Sequence, residues 1–136
     1  MIVIDTGPIV AMANRRDHDH ERCTKLLTTH DGPLLLPEPL LTEIGYMLST
    51  RAGAQAEANF LRDVADGIYQ LISLDRDDLR RAADLVEQYS KLPLGTADAC
   101  VATVADRFGT RNIATLNARD FQVVRPQHGD SFILHP

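Results

Sequence analysis

Asp5, Glu43 and Asp98 are the side chains in this sequence best placed to do chemistry. Asp5 ends a short apolar run, Ile2-Val3-Ile4, and opens into Thr6-Gly7-Pro8, which reads as a buried strand feeding a helix. A carboxylate at the carboxyl end of a parallel strand lies in the crevice where open α/β sheets place their ligands. Asp98 falls in the first turn of a helix expected over Thr96–Phe108, beside Val101, Ala102 and Ala105, with no further charge before Asp106. The helix N-terminus favours such an anion by about 0.3–1 kcal/mol, which does not offset full burial. A metal ion would. The plainer alternative is a carboxylate that bonds only the free N–H groups at its own helix start. Glu43 borders an apolar helical stripe next to Leu40 and Met47, where an ordinary surface ion pair explains it equally well. If the three meet, they repel one another unless a cation neutralises them. Hard oxygen ligands select Mg²⁺ or Mn²⁺, and an ion that acidifies water while polarising a phosphoryl oxygen is a route to phosphodiester hydrolysis.

The elements that must bring these residues together alternate along the chain. Strands are expected at Ile2–Ile4, Leu34–Leu36, Tyr69–Ser73, Ile113–Thr115 and Phe132–Leu134. Thr6 is expected to cap the first helix, with Pro8 in its first turn. Asp17-His18-Asp19-His20-Glu21 starts a second helix. A third runs from about Pro39 to Arg51 with Leu40, Leu41, Ile44, Met47 and Leu48 at helical spacing. After Gly53, a helix over Ala54–Asp66 turns Phe60, Leu61 and Val64 inward. Asp75 caps another, to about Tyr89, with Leu79, Ala82, Ala83 and Val86 on one side. Thr96 caps the Asp98 helix, which Gly109 closes. Strands joined by helices imply a parallel five-stranded sheet in a three-layer α/β/α sandwich, a single domain over residues 1–136.

Near the C-terminus, Asn117 follows the fourth strand and can face the same crevice, and Asp120 can reach it or cap a turn. Arg15, Arg16, Arg51 and Arg119 are candidates for a positive rim that meets phosphates, or are simply exposed arginines. His18 and His20 with Asp17 and Asp19 suggest zinc, but histidines two apart on a helix start diverge, and a solvated entrance fits them better.

The bulk composition narrows the class. A chain of 136 residues with 44% hydrophobic content buries a real core. A net charge of −5 and the absence of tryptophan speak against a generic basic nucleic-acid coat and a broad aromatic platform, though not against a local positive rim. Cys23 and Cys100 lie far apart in helical patterns and read as core residues of a reducing compartment. No membrane-spanning or signal segment is evident, and a cytoplasmic protein is expected.

Taken together, Ile2-Val3-Ile4-Asp5-Thr6-Gly7, Pro39-Leu40-Leu41-Thr42-Glu43-Ile44, Gly95-Thr96-Ala97-Asp98-Ala99 and Thr115-Leu116-Asn117-Ala118-Arg119-Asp120-Phe121 resemble the motifs of a PIN domain. More narrowly, they resemble a VapC-type toxin ribonuclease of a type II toxin–antitoxin pair. Each motif is weak alone. Their order and spacing across nearly the whole chain make the signal.

The resemblance implies a metal-dependent endoribonuclease that cuts structured RNA, tRNA or rRNA, and so inhibits translation. Asp5 and Asp98 would be the principal ligands of Mg²⁺ or Mn²⁺, with Glu43 completing the acidic site and Thr6 positioning it. It also implies a homodimer silenced by a VapB-type antitoxin, with Phe60, Leu61 and Tyr46 offering a dimer or antitoxin groove if they are not core. The sequence departs from the family at Asn117, where a fourth acid is common. An amide oxygen still binds a metal but carries no charge, so a one-metal or weaker site is expected, with Asn117 a neutral outer ligand. The competing reading is an inactive PIN-like binding module, since fold does not guarantee chemistry. An aspartic protease, suggested by Asp-Thr-Gly, is disfavoured because Pro8 onward reads as helix. A phosphotransferase with Asp5 as nucleophile lacks a motif partner.

Overall fold

A computed structural model describes residues 1–127 and 129–136. Five parallel strands form one sheet: β1 (Ile2–Ile4), β2 (Leu34–Pro37), β3 (Gln70–Ile72), β4 (Asn112–Ala114) and β5 (Ile133–His135), in the order β3-β2-β1-β4-β5. Val3 pairs with Leu35 on one side and Ile113 on the other, which puts β1 at the centre. A strand covered on both faces must be apolar throughout, and Ile2, Val3 and Ile4 are each fully buried.

The chain builds outward from β1 to β3, then crosses back to lay β4 against the other side of β1. Right-handed crossovers running in opposite directions send their helices to opposite faces. The first set is α1 (Thr6–Ala13), α2 (His20–Thr29), α3 (Leu40–Arg51) and α4 (Ala54–Ala65), and the second is α5 (Arg76–Gln88) and α6 (Thr96–Phe108). α6 packs on β1, β2 and β4 and carries α5 on its outer side, while α3 packs on β2, α1 and α4. The reversal leaves a crevice between the carboxyl ends of β1 and β4, where ligands of such sheets bind. Among the described residues, no helix is long and apolar enough to cross a membrane.

The expected strands are all present, with ends moved by a residue or two. Several local expectations fail for physical reasons. Asp5, not Thr6, caps α1: its Oδ1 accepts the Thr6 N–H at 2.8 Å, and Thr6 is the first helical residue. Gly95 precedes α6 with no side-chain cap, so Thr96 does not cap it. Asp17–Asp19 form a turn, with the Asp19 N–H donating to Asp17 Oδ1, and α2 begins only at His20. Asp75 does cap α5, in a reciprocal box with Asp78. Leu79, Ala82, Ala83 and Val86 do share a side, lining one cavity with Thr96 and Cys100, but the buried positions of α5 are Asp78, Ala82 and Leu85, and Leu79, Ala83 and Val86 are exposed. Asp78 is buried with Ala82 and Leu85, its Oδ2 accepting from Arg107 on α6 at 2.8 Å. Leu61 is also exposed while Phe60 is core, so these two do not share a groove. A short helix, α7 (Ala118–Val123), was not expected; it buries Phe121, which packs edge-to-face on Phe132. Cys23 and Cys100 are free and buried, as expected.

Candidate active site

The crevice at the sheet reversal is a cavity of about 430 Å³ lined by Asp5, Thr6, Glu43, Asp98 and Asn117, with Gly7, Met47, Gly95, Ala97 and Leu116. Each acidic residue arrives on a different element. Asp5 follows β1, Glu43 lies in the first turn of α3, Asp98 in the first turn of α6, and Asn117 precedes α7. Gly7 lets the start of α1 approach the β4–α7 loop: a Cβ there would stand 3.2 Å from Leu116 Cβ. A larger residue would push that loop, and Asn117 with it, away from Asp5.

One hydrogen-bond chain threads the site. The Thr6 hydroxyl donates to Glu43 Oε2 at 2.8 Å, while the Thr6 N–H donates to Asp5 Oδ1. The Thr115 hydroxyl donates to Asp5 Oδ2 at 2.8 Å and accepts the Asn117 N–H at 2.9 Å. The Asn117 amide nitrogen then donates to Asp98 Oδ2 at 3.0 Å and to Asp120 Oδ2 at 2.9 Å. Asp5, Thr6, Glu43, Asp98, Asn117 and Asp120 therefore meet in one network. Thr6 is free to hold Glu43 because Asp5 has taken over the capping role. Thr115 was not singled out, yet it stands after β4 as Asp5 stands after β1, and that equivalence was the available signal. Asp120, left open between site and turn, reaches the site through Asn117.

The electrostatics are those of acids crowded without a counter-charge. Asp5 is 7% exposed. Burial raises its pKa above the ordinary carboxylate value; bonds from Thr115 and Thr6 oppose this, and the Glu43 charge adds to it. Asp98 is pushed up to about 7, first by burial, then by the charges of Asp5, Asp120 and Glu43, against the opposing Asn117 bond. Asn117 thus bridges two carboxylates where a fifth acid would add repulsion.

The donor set suits a hydrated hard cation. Among the described residues no three His, Cys, Asp or Glu side chains close into a metal-holding cluster, so the carboxylates surround the cavity instead of clenching it. Mg²⁺ tolerates this, since it keeps several waters and takes one or two carboxylates directly. Among the described residues, no thiol or imidazole lines the cavity to favour a softer metal. Elsewhere, His18 is exposed and bonded to Asp19 while the His20 ring bonds the Ala11 carbonyl, so the two do not converge. Arg15, Arg16, Arg51 and Arg119 are all exposed, and none lines the cavity.

Carboxylates thus gather in the crevice at the reversal point of this five-stranded parallel sheet. The chain belongs to the PIN-domain family, whose model matches residues 2–125. Within it the chain is of the VapC type: it is 31% identical over 135 residues to Ribonuclease VapC26 of Mycobacterium tuberculosis, covering 99% of this chain and all of that protein. Two solved structures show the same fold. The crystal structure of VapC20 of M. tuberculosis, a sarcin-ricin loop cleaving toxin, superposes with a TM-score of 0.81 at 21% identity, over 93% of this chain and 100% of that one. VapBC2 of Rickettsia felis, bound to a DNA fragment from its promoter, gives 0.69 at 17% identity over 99% and 98%.

Proposed function

We propose that the chain is a Mg²⁺- or Mn²⁺-dependent endoribonuclease toxin that hydrolyses phosphodiester bonds in structured RNA, tRNA or rRNA, and so inhibits translation. In this reading residues 1–136 act as one cytoplasmic PIN-like domain, paired as a homodimer and silenced by a VapB-type antitoxin. The observation that carries it is the convergence of Asp5, Glu43 and Asp98 on one open cavity through a continuous hydrogen-bond chain. The ribonuclease relative supports the reaction, and the VapB-bound neighbour supports the partner.

Asp5 and Asp98 hold the ion. When bound, it supplies charge neutralisation and Lewis acidity toward a phosphoryl oxygen. Asp5 is oriented by two donors and offers its remaining lone pairs to the cavity. Glu43 is solvent-exposed with Oε2 tied to Thr6, which leaves Oε1 to accept the proton of an attacking water. As the water oxygen bonds to phosphorus, the bond from phosphorus to the ribose oxygen breaks; that oxygen takes up a proton from solvent water as it leaves, and Glu43 returns its proton to solvent. Asn117 stands as a neutral outer ligand, its amide oxygen free while its nitrogen spaces Asp98 from Asp120.

Thr6→Val removes the hydroxyl that aims Glu43 while leaving the backbone cap intact. A roughly tenfold fall in kcat is expected, the value of about one hydrogen bond to a charged group, in steady-state cleavage assays. Asn117→Asp adds a carboxylate to the four already gathered there, Asp5, Glu43, Asp98 and Asp120, and calorimetry should find tighter Mn²⁺ binding or a second ion. Unchanged stoichiometry and affinity would count against a one-metal wild-type site. The whole reading is tested by mapping RNA ends after induced expression, with the Asp5→Ala chain as control. Discrete new ends with the wild-type chain alone support it, whereas identical ends in both favour an inactive PIN-like binding module.

A further inference from the structure

The geometry points to Tyr46 as a stacking platform for an unpaired RNA base beside the scissile phosphate, an inference that rests on the ribonuclease reading above. Tyr46 is 70% exposed in a chain with only three tyrosines and no tryptophan. It follows Glu43 by three residues on α3, so both side chains stand on one face about a turn apart. A second cavity, of about 550 Å³, is lined by Pro39, Thr42, Glu43, Tyr46, Thr96 and Ala97. It shares Glu43 and Ala97 with the carboxylate cavity, so the two are continuous. A chain whose phosphate sits among the carboxylates therefore has a neighbouring base within reach of the Tyr46 ring.

The surroundings of the ring favour a base over a protein helix. Helical neighbours of Tyr46 are Thr42, Glu43, Ser49 and Thr50, polar residues that leave the ring isolated on its own face of α3 and give a partner helix little apolar surface there to cover. A nucleobase needs only a single π-face, which every base provides, so one isolated ring suffices. Thr42 and Thr96 place exposed hydroxyls where base edges would lie. Thr96 and Ala97 open α6 without a side-chain cap, leaving first-turn N–H groups toward the flanking phosphate. Stacking on a protein ring requires a base already free of its neighbours. The substrate class narrows accordingly to a loop or single-stranded segment, not a continuous duplex.

The test compares wild type, Tyr46→Ala, Tyr46→Phe and Tyr46→Trp on a panel of short single-stranded RNAs, each carrying a fluorescent adenine analogue at one position. Tyr46→Ala should raise KM roughly 10–100-fold with kcat little changed, and Phe and Trp should retain near-wild-type KM. An abasic substitution next to the cut should cost wild type the same factor and cost Tyr46→Ala nothing further. Fluorescence quenching in EDTA reads the base contact without turnover: wild type and the Phe variant should quench, the Ala variant should not. Unchanged KM and quenching in Tyr46→Ala would overturn the assignment, as would abasic and Ala effects that simply add, or a defect confined to self-association or to binding a protein partner. If wild type quenches but cleaves no RNA, the nuclease reading fails while the base platform stands; if it cleaves without quenching at any position, the platform fails alone.

Discussion

Replacing Asp98 with alanine is expected to reduce RNA cleavage about a thousandfold or more, the scale of several kcal/mol of metal-based transition-state stabilisation. The same change should stabilise the metal-free protein. Both effects have one origin: Asp98 is held partly buried among Asp5, Asp120 and Glu43, all of its own sign. Such a position is unfavourable for folding and is explained by ligand binding. Asp5→Ala should be equally inactive, but its effect on stability differs in kind. It leaves α1 without its cap and Thr115 without its acceptor, so the gain from lost repulsion is offset by about 1 kcal/mol for the cap. Cleavage assays beside thermal melts of the metal-free variants separate the two. An Asp98→Ala protein that melts lower than wild type and still cleaves would contradict this description of the site.

The second large effect links pH, metal and stability. The Asp98 carboxyl has an ordinary value of 3.8 and a folded value of about 7. Below the ordinary value it is protonated in both states and costs nothing. Between these two values the unfolded chain releases the proton while the fold retains it, so the unfolded state binds fewer protons and stability falls as pH rises. The loss is complete above the folded value. Asp5, raised by burial, acts in the same direction. Metal-free protein should thus melt lower at neutral pH than at mildly acidic pH, and Asp98→Asn should flatten that fall. Divalent ion binds the ionised site, so at a hundred times its Kd it should restore about 2.7 kcal/mol, several degrees in Tm, and far less at acidic pH. Melting temperatures across this pH range, with EDTA or Mg²⁺, provide the check. A Mg²⁺ effect that is independent of pH and unchanged in Asp98→Asn would place the ion elsewhere.

The parallel sheet was legible because its strands are short apolar runs bounded by turn residues, and only a sheet covered on both faces accepts Ile2-Val3-Ile4 or Leu34-Leu35-Leu36 without alternation. Asp5 and Asp98 were legible because one ends a buried strand and the other sits in the first turn of an otherwise apolar helix, where a helix-end bond alone does not offset burial of the charge. What escaped notice depends on contacts distant in sequence. Asp5 rather than Thr6 caps α1, and the Thr6 hydroxyl goes to Glu43, a partner 37 residues away. The burial of Asp78 on α5 goes with its pairing to Arg107 on another helix, and no periodicity within α5 records that. α7 is a six-residue helix held by the burial of Phe121, too short for its own pattern to mark it. Asn117 was visible as a departure, but its bridging of Asp98 to Asp120 emerges only once the loop is closed against Gly7.

The most direct test of the central claim, that carboxylates from separate elements jointly hold one divalent ion, is anomalous diffraction from a crystal grown with Mn²⁺. The expected result is a peak in the crevice between the carboxylates of Asp5 and Asp98, within reach of Glu43 through water. A crevice without a peak while manganese binds at other sites, or a peak that persists in Asp5→Ala crystals, would contradict it.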